Sequence, residues 1–308
     1  MEFKNEKELL KAYRSGFQGS YFDPAHYEQF CATLKYGSFG IAAPFLAGSG
    51  KGKLSTPYKA VTKFFPAAFG DDRQQTGDCV SHSGRNAGDI SRAYEILVRG
   101  EAEEWVARGA TEVIYGLRGH CGQGMSCSRA AEVVSTIGFA IRKQYVGYDL
   151  SKYTPNLGAR QWCPRNVPKD LLEQIKGNCF QTTTIIRSVE EARDALANGY
   201  GISICSGQGF TETRDSKGFA RAWGSWPHAM TLGACDDRDG NMDFLVLNSW
   251  GKWNDGGHPD FGPIPNGSFM VKAEVIAKMI RGGGTFVYSN FDGFPAQKVL
   301  NYDTGSFL

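Results

Sequence analysis

The sequence predicts an α+β chain built as two lobes, and three observations predict it. Helix-like patterns dominate up to about residue 200, short apolar runs between turn residues follow, and 308 residues suffice for two modest cores. Apolar residues make up 41 % and charged residues 21 %, which suits an ordinary buried core and argues against global disorder.

The elements can be justified in order. Residues 5–15 read as a short helix: Asn5 and Glu8 fit a capping box, Leu9, Leu10 and Tyr13 give an apolar face, and Gly16 ends it. Residues 37–58 are rich in Gly, Ser, Ala and Pro and read as a loop or linker. Residues 79–99 contain no proline, and Val80, Ile90, Ala93, Tyr94 and Leu97 suggest one buried side, although Gly84 and Gly88 weaken the pattern. Further helices are expected over 128–137, ended by Gly138, and over 169–176, ended by Gly177. Another opens on the Ser188–Glu191 capping box and closes at Asn198-Gly199. The runs 201–206, 229–235, 243–248, 268–272 and 285–289 read as strands of an antiparallel sheet or barrel. The expected division is an N-terminal extension and linker over 1–58, a helical lobe over 59–178 and a β-rich lobe over 179–308. A cleft between lobes is the usual place for a substrate.

Charge and motif exclude several classes. The formal net charge is +2, so nothing calls for a nucleic-acid partner. The lysines at 51, 53, 59 and 63 lie among Gly and Pro and read as a solvated linker. No apolar run approaches the ~18–20 residues of a membrane span, and the N-terminal residues lack the apolar core of a secretory signal. The expected location is cytoplasmic or virion-associated. There are eight cysteines and no Cys-x-x-Cys pair, so reduced thiols are the default. A zinc site from Cys121, Cys127, Cys163 and Cys179 matches no trusted spacing; neither metal nor organic cofactor is expected.

Three residues carry the chemistry. Cys79 follows Gly77-Asp78 where a helix should begin, and a helix N-terminus favours the thiolate. His228 lies in Trp226-Pro227-His228-Ala229-Met230 at the mouth of a predicted strand. Asn248 opens Asn248-Ser249-Trp250-Gly251 directly after another, where its amide can orient a histidine under the cover of Trp250. Taken singly, each has a bland reading: a core thiol, a packed imidazole, a turn.

Together the order Cys…His…Asn and the Asn-Ser-Trp-Gly motif resemble the papain-like cysteine peptidases. In that family the histidine and asparagine lie roughly 130–150 residues after the cysteine; here they lie 149 and 169 residues on. The resemblance extends loosely over 59–290. It implies a helical lobe, an antiparallel barrel-like lobe and an active site between them. It also implies that Gly122 and Gly124 belong to a glycine strip that meets substrate backbone, and that Met125, Cys205 and Pro227 line the pocket for the side chain two before the scissile bond. The pattern is closer still to papain-fold proteins of phage and bacterial genomes, through Gly77-Asp78-Cys79-Val80-Ser81 and Cys205-Ser206-x-Gln208-Gly209-Phe210, among others.

Four departures stand out. The family's oxyanion-hole glutamine lies six residues before the cysteine, where this chain has Arg73; Gln74 or Gln75 would replace it, and Gln74 is preferred. Thr76 stands where secreted relatives have a disulfide cysteine, Val80 replaces an aromatic residue, and Asp78 opposes a thiolate unless turned away or paired. Residues 1–58 lack the helical signature of the family's inhibitory propeptide. They are also too short for that propeptide and are expected to be a structural or docking element, for instance for other virion or complex subunits, with a position over the cleft as the alternative. The expected activity is hydrolysis of a peptide or isopeptide bond in a protein or peptide substrate. The alternatives are a virion-associated structural protein that keeps the fold with little proteolysis, and an amidase or transglutaminase-like acyl transferase.

Overall fold

The structure is a computed structural model, which describes residues 2–69, 73–99 and 107–297. Its helical lobe is organised around the helix Cys79–Arg99. Val80, Ala87, Ile90 and Ala93 are fully buried in it, but so are Arg85 and Asp89. The charges are tolerated because they are paired: Arg108 Nε lies 2.6 Å from the Asp89 carboxylate, which also accepts from the Gly109 amide at 2.9 Å. The glycines that weakened the helical pattern have a packing reason. A Cβ on Gly88 would lie 2.7 Å from the Phe180 ring and 2.8 Å from the Phe139 ring.

The β-rich lobe is a seven-stranded sheet with an open edge, so of the sheet or barrel expected from the sequence it is the sheet, not closed into a barrel. Its strands run in the order Phe269–Lys272, Asp243–Leu247, Ala222–Asp236, Ile202–Phe210, Thr285–Ser289 and Thr182–Ile185. Leu54–Ser55 pairs alongside Ala222–Asp236. Antiparallel pairing sets Leu247 opposite Thr231, which brings the end of one strand beside the early part of the next. The β-branched run Thr182–Ile185 and the helix Ala273–Arg281 are additions to the sequence reading. The expected helix over 128–137 is an α-helix over Cys127–Glu132 that widens into a π-turn over Val133–Ile137.

Residues 2–58 are woven into both lobes. The helix Glu6–Arg14 forms as its sequence indicated, with Asn5 capping the Glu8 amide at 3.0 Å. The two-residue strand Ser20–Tyr21 pairs in parallel with Met125–Ser126, and a second helix spans Pro24–Thr33. The stretch read as a linker contains a short helix (Phe39–Ala42), a 3-10 turn (Pro44–Leu46) and the strand Leu54–Ser55. Asp194 holds the loop before that strand by accepting from the Gly48 and Gly50 amides at 2.7 and 3.0 Å.

The cysteines also depart from expectation. Cys121–Cys163 and Cys127–Cys205 are disulfides, the second joining the helical lobe to the sheet. Cys31, Cys79, Cys179 and Cys235 remain thiols. Among the described residues no cluster of metal-ligating side chains occurs, and no helix is long and apolar enough to cross a membrane.

Candidate active site

Cys79 is the first residue of its helix and is fully buried. Its sulfur takes a hydrogen bond from the Ala229 amide, which puts it beside His228 on the facing strand. His228 Nε2 lies 2.7 Å from Asn248 Oδ1. That oxygen also accepts from the Ser249 amide at 2.8 Å, which fixes it as the carbonyl end of the side chain. His228 therefore donates from Nε2, and its Nδ1 carries the free lone pair. The Trp250 ring lies over the imidazole with centroids 4.5 Å apart, and both side chains are sealed from water.

The Nδ1 lone pair does not face a thiolate. It accepts from the hydroxyl of Tyr13 at 3.1 Å, and the same hydroxyl hydrogen-bonds Cys79. Tyr13 comes from the N-terminal helix, is 1 % exposed, and packs edge-on to His228 and obliquely on Trp250. With its proton directed at Nδ1, the phenol oxygen is left to accept from the thiol and from the amide of Gln74. The charge state follows from this burial. Desolvation pushes the Cys79 thiol up to about 12, against the lowering effect of Tyr13, and pushes His228 down to about 3. Thiol and imidazole are both neutral here, in contrast to the thiolate that a place at a helix N-terminus led us to expect.

The chain then runs on through the cleft. Gly19 donates to the Pro227 carbonyl at 3.0 Å and accepts from the Met125 amide at 3.2 Å. It passes so close to the sulfur that only glycine fits: a Cβ there would lie 2.8 Å from Cys79 Sγ and 1.8 Å from the Tyr13 hydroxyl. Residues 13–22 thus form a strap across the site.

The sequence has no match to any family model and none to a curated protein. Solved structures do match. Procathepsin B S9 from Trypanosoma congolense is 11 % identical with a TM-score of 0.56, over 94 % of this chain and 89 % of that one. The ragweed pollen cysteine protease Amb a 11, in its proform, is 12 % identical with a TM-score of 0.53, over 93 % and 77 %. Xylellain, a cysteine protease from Xylella fastidiosa, is 13 % identical with a TM-score of 0.50, over 88 % and 91 %. The fold is papain-like. At these identities the likeness speaks for the fold and leaves the chemistry to the residues.

Within this papain-like frame the structure brings Gln74, Cys79, His228, Asn248 and Trp250 together. Gln74 is fully buried; its side-chain carbonyl accepts from Ser249 Oγ at 2.7 Å and Trp250 Nε1 at 3.1 Å, and its amide donates one proton to the Thr76 carbonyl at 2.7 Å and the other to the Tyr13 phenol. Gln75 is held differently, its backbone bonding the Tyr153 hydroxyl and Phe3. Gly124, at φ +79°, faces the strap, where a Cβ would lie 2.4 Å from the Gln18 carbonyl. The Gly122 carbonyl instead accepts from Arg118 at 2.9 Å. Pro227 and Cys205 line a cavity next to the strap, and Met125 pairs with the strap itself.

Two groups escaped the sequence reading. Tyr13 looked like a core residue of an amphipathic helix, and nothing local announced a partner 215 residues away. Gln123 supports the loop before the nucleophile by accepting from the Gly77 amide at 2.9 Å and Thr76 at 3.1 Å. Asp78 is turned away from the sulfur: Tyr153 donates to its carboxylate at 2.7 Å, and His82 Nε2 stands 3.5 Å from it. Arg85 approaches the other nitrogen of His82 at 3.1 Å, which leaves Nε2 protonated and facing Asp78.

Proposed function

We propose that this chain is a latent cysteine peptidase with Cys79 as nucleophile, His228 as acid and base, Asn248 as the orienting amide and Gln74 as an oxyanion donor. The observation that carries the reading is the Nε2-to-Oδ1 bond, which turns Nδ1 toward the sulfur. With the strap displaced, the thiol proton passes to Nδ1. The thiolate attacks a peptide or isopeptide carbonyl, and the oxyanion is met by the Gln74 amide and the Cys79 backbone N–H, each contributing ~3 kcal/mol. His228 then protonates the leaving amine, and a thioester to Cys79 remains. Water attacks that thioester as His228 takes its proton, releasing the acid and restoring the thiol.

Latency is the part the strap adds. The phenol of Tyr13 takes the place of a direct sulfur–imidazole contact and fills the position toward which Gln74 points. Two of the similar solved structures are pro-forms by title, which supports this reading. The test is labelling by an epoxysuccinyl thiol-protease inhibitor, mapped by mass spectrometry, on the native chain and on Tyr13→Ala, with His228→Ala in each. Slow labelling of Cys79 that accelerates in Tyr13→Ala and needs His228 supports the proposal. Labelling indifferent to His228, in both backgrounds, sinks it.

The sealed cleft also fits a second reading, a structural protein that keeps the fold without proteolysis. In that case Cys79 stays unreactive even in Tyr13→Ala. Acyl transfer to an amine instead of water would show as amide products when amines are added.

A further inference from the structure

Resting on the peptidase reading, we propose that the substrates are peptides with an acidic side chain close to the scissile bond, selected by Lys278. Beyond Gly19 the strap roofs a cavity of about 440 Å³ with Ser20, Tyr21 and Phe22. This cavity adjoins the reacting groups through Pro227, the neighbour of His228, and Ser126, the register partner of Tyr21. Whatever replaces the strap along Met125–Ser126 must place a side chain there.

The chemistry of the wall is one-sided. Among the residues that line the cavity Lys278 is the sole charged side chain, and none is a carboxylate. The rest of the polar wall is hydroxyl and amide; Ser225 already donates to the Gly207 carbonyl, while the Ser206 hydroxyl and the second amide proton of Gln208 can still donate. A second depression of about 380 Å³ shares Phe22 and the Gly282–Gly284 turn with the first, and it is lined by Arg187 and Arg281, again with no carboxylate. Lys278, Arg281 and Arg187 are exposed, and among the described residues none of them takes part in an ion pair of the kind that holds Arg108 or Arg142. Lys278 and Arg281 lie in the last turn of their helix, where cations suit the helix dipole. That role leaves their charged heads free to pair. One cation at the strap-roofed cavity and two in the depression beside it match an anionic side chain and repel a cationic one. The Cys127–Cys205 disulfide and Gly284 belong to the same wall, where a Cβ built on Gly284 would lie 3.4 Å from the Cβ atoms of both cysteines, so the disulfide fixes the cavity on that side.

The experiment is cleavage of a mixed peptide library by the full chain bearing Tyr13→Ala, with and without Lys278→Glu, read by mass spectrometry. Glutamate or aspartate within two residues of the cut should exceed lysine and arginine by about tenfold, and Lys278→Glu should reverse the order. Cleavage without an acidic preference, or a preference unmoved by Lys278→Glu, overturns the inference while the peptidase reading stands. If no peptide is cut, the peptidase reading fails, and binding of matched Glu, Gln and Lys peptides to the Cys79→Ala form of the Tyr13→Ala chain decides the pocket. Glu-selective binding lost in Lys278→Glu supports the charge assignment, and equal binding of the three peptides overturns it.

Discussion

The two halves of the cleft are built on opposite terms. Around Cys79 everything is dry: Tyr13, Trp250, His228 and Asn248 are almost fully buried, and no charge survives on thiol or imidazole. A few residues along the strap, the cavity beside Lys278 is open, hydroxyl-lined and cationic. The same ten residues therefore do two jobs. Tyr13 and Gly19 neutralise the reacting groups by excluding water; Ser20 to Phe22 only cover a pocket. Reactivity is held down by burial, whereas recognition is set by charge.

Several experiments would break or sharpen that contrast. The largest effect should come from the chemical residues in a strap-released background. His228→Ala in the Tyr13→Ala chain should lower turnover by at least ~10³-fold. A loss of less than tenfold would mean that the imidazole is not the base.

Next is the release itself. Tyr13→Ala should accelerate labelling of Cys79 by about 100-fold, because each unit by which the thiol falls gives ten times more thiolate at neutral pH. The same change should cost ~3 kcal/mol of stability, since a buried aromatic ring is lost. Tyr13→Phe keeps the ring and the burial but loses the hydrogen bond that lowers the thiol, so labelling should stay slow with little loss of stability, which separates exclusion of water from the hydroxyl. An unchanged labelling rate in Tyr13→Ala would show that the strap does not control the sulfur.

Gly19→Val should raise labelling by about tenfold while leaving the rest of the fold intact, because a Cβ cannot pass between Tyr13 and the sulfur. Slower labelling in Gly19→Val would indicate that the strap tightens rather than leaves.

The smallest effect is a pH dependence of the closed form. His228 is held near 3 by burial and titrates near 6.5 when unfolded, so its contribution is complete above about 6.5 and fades as the pH falls toward 3. Cys79, raised to about 12 from an ordinary 9, contributes below about 9 and loses that contribution as the pH rises toward 12. The closed state is then firmest between the two. Urea unfolding of the native chain against His228→Gln, across pH 4 to 10, should show the acid limb flatten in the variant. Parallel acid limbs would remove His228 from the account.

The dry half was partly legible in the sequence and the open half hardly at all. Cys79 starts a helix and Asn248 directly follows a strand, boundaries that local pattern marks. His228 instead lies inside the strand Ala222–Asp236 and not at the mouth of a shorter one over 229–235, because Trp226 and its neighbours extend the strand toward its N-terminus. Tyr13 did not show, because capping and an apolar face predict a helix but not what it docks against. The Cys79–Arg99 helix was expected to bury one side, yet Arg85 and Asp89 are buried as well, because ion pairing compensates their charges. The pairing of Cys127 with Cys205 rests on contact between distant segments, and the default of reduced thiols hid it. Lys278 gave no signal, since a lysine in the last turn of a helix is ordinary until a cavity is found beside it.

The strand Leu54–Ser55 gives the strap a property that its contacts alone do not. Hydrogen-bonded to Asp236 and Cys235 in the main sheet, it moors the segment that follows the strap, and the helix Pro24–Thr33 docks between them. A strap that lifts away from Cys79 stays on a short leash, facing the cleft at an effective concentration on the order of millimolar. A substrate present at micromolar levels competes poorly against such a neighbour. Opening by displacement is therefore brief and reversible, and a competitor must match a local concentration set by the strand that moors the strap, not by the amount of protein in solution.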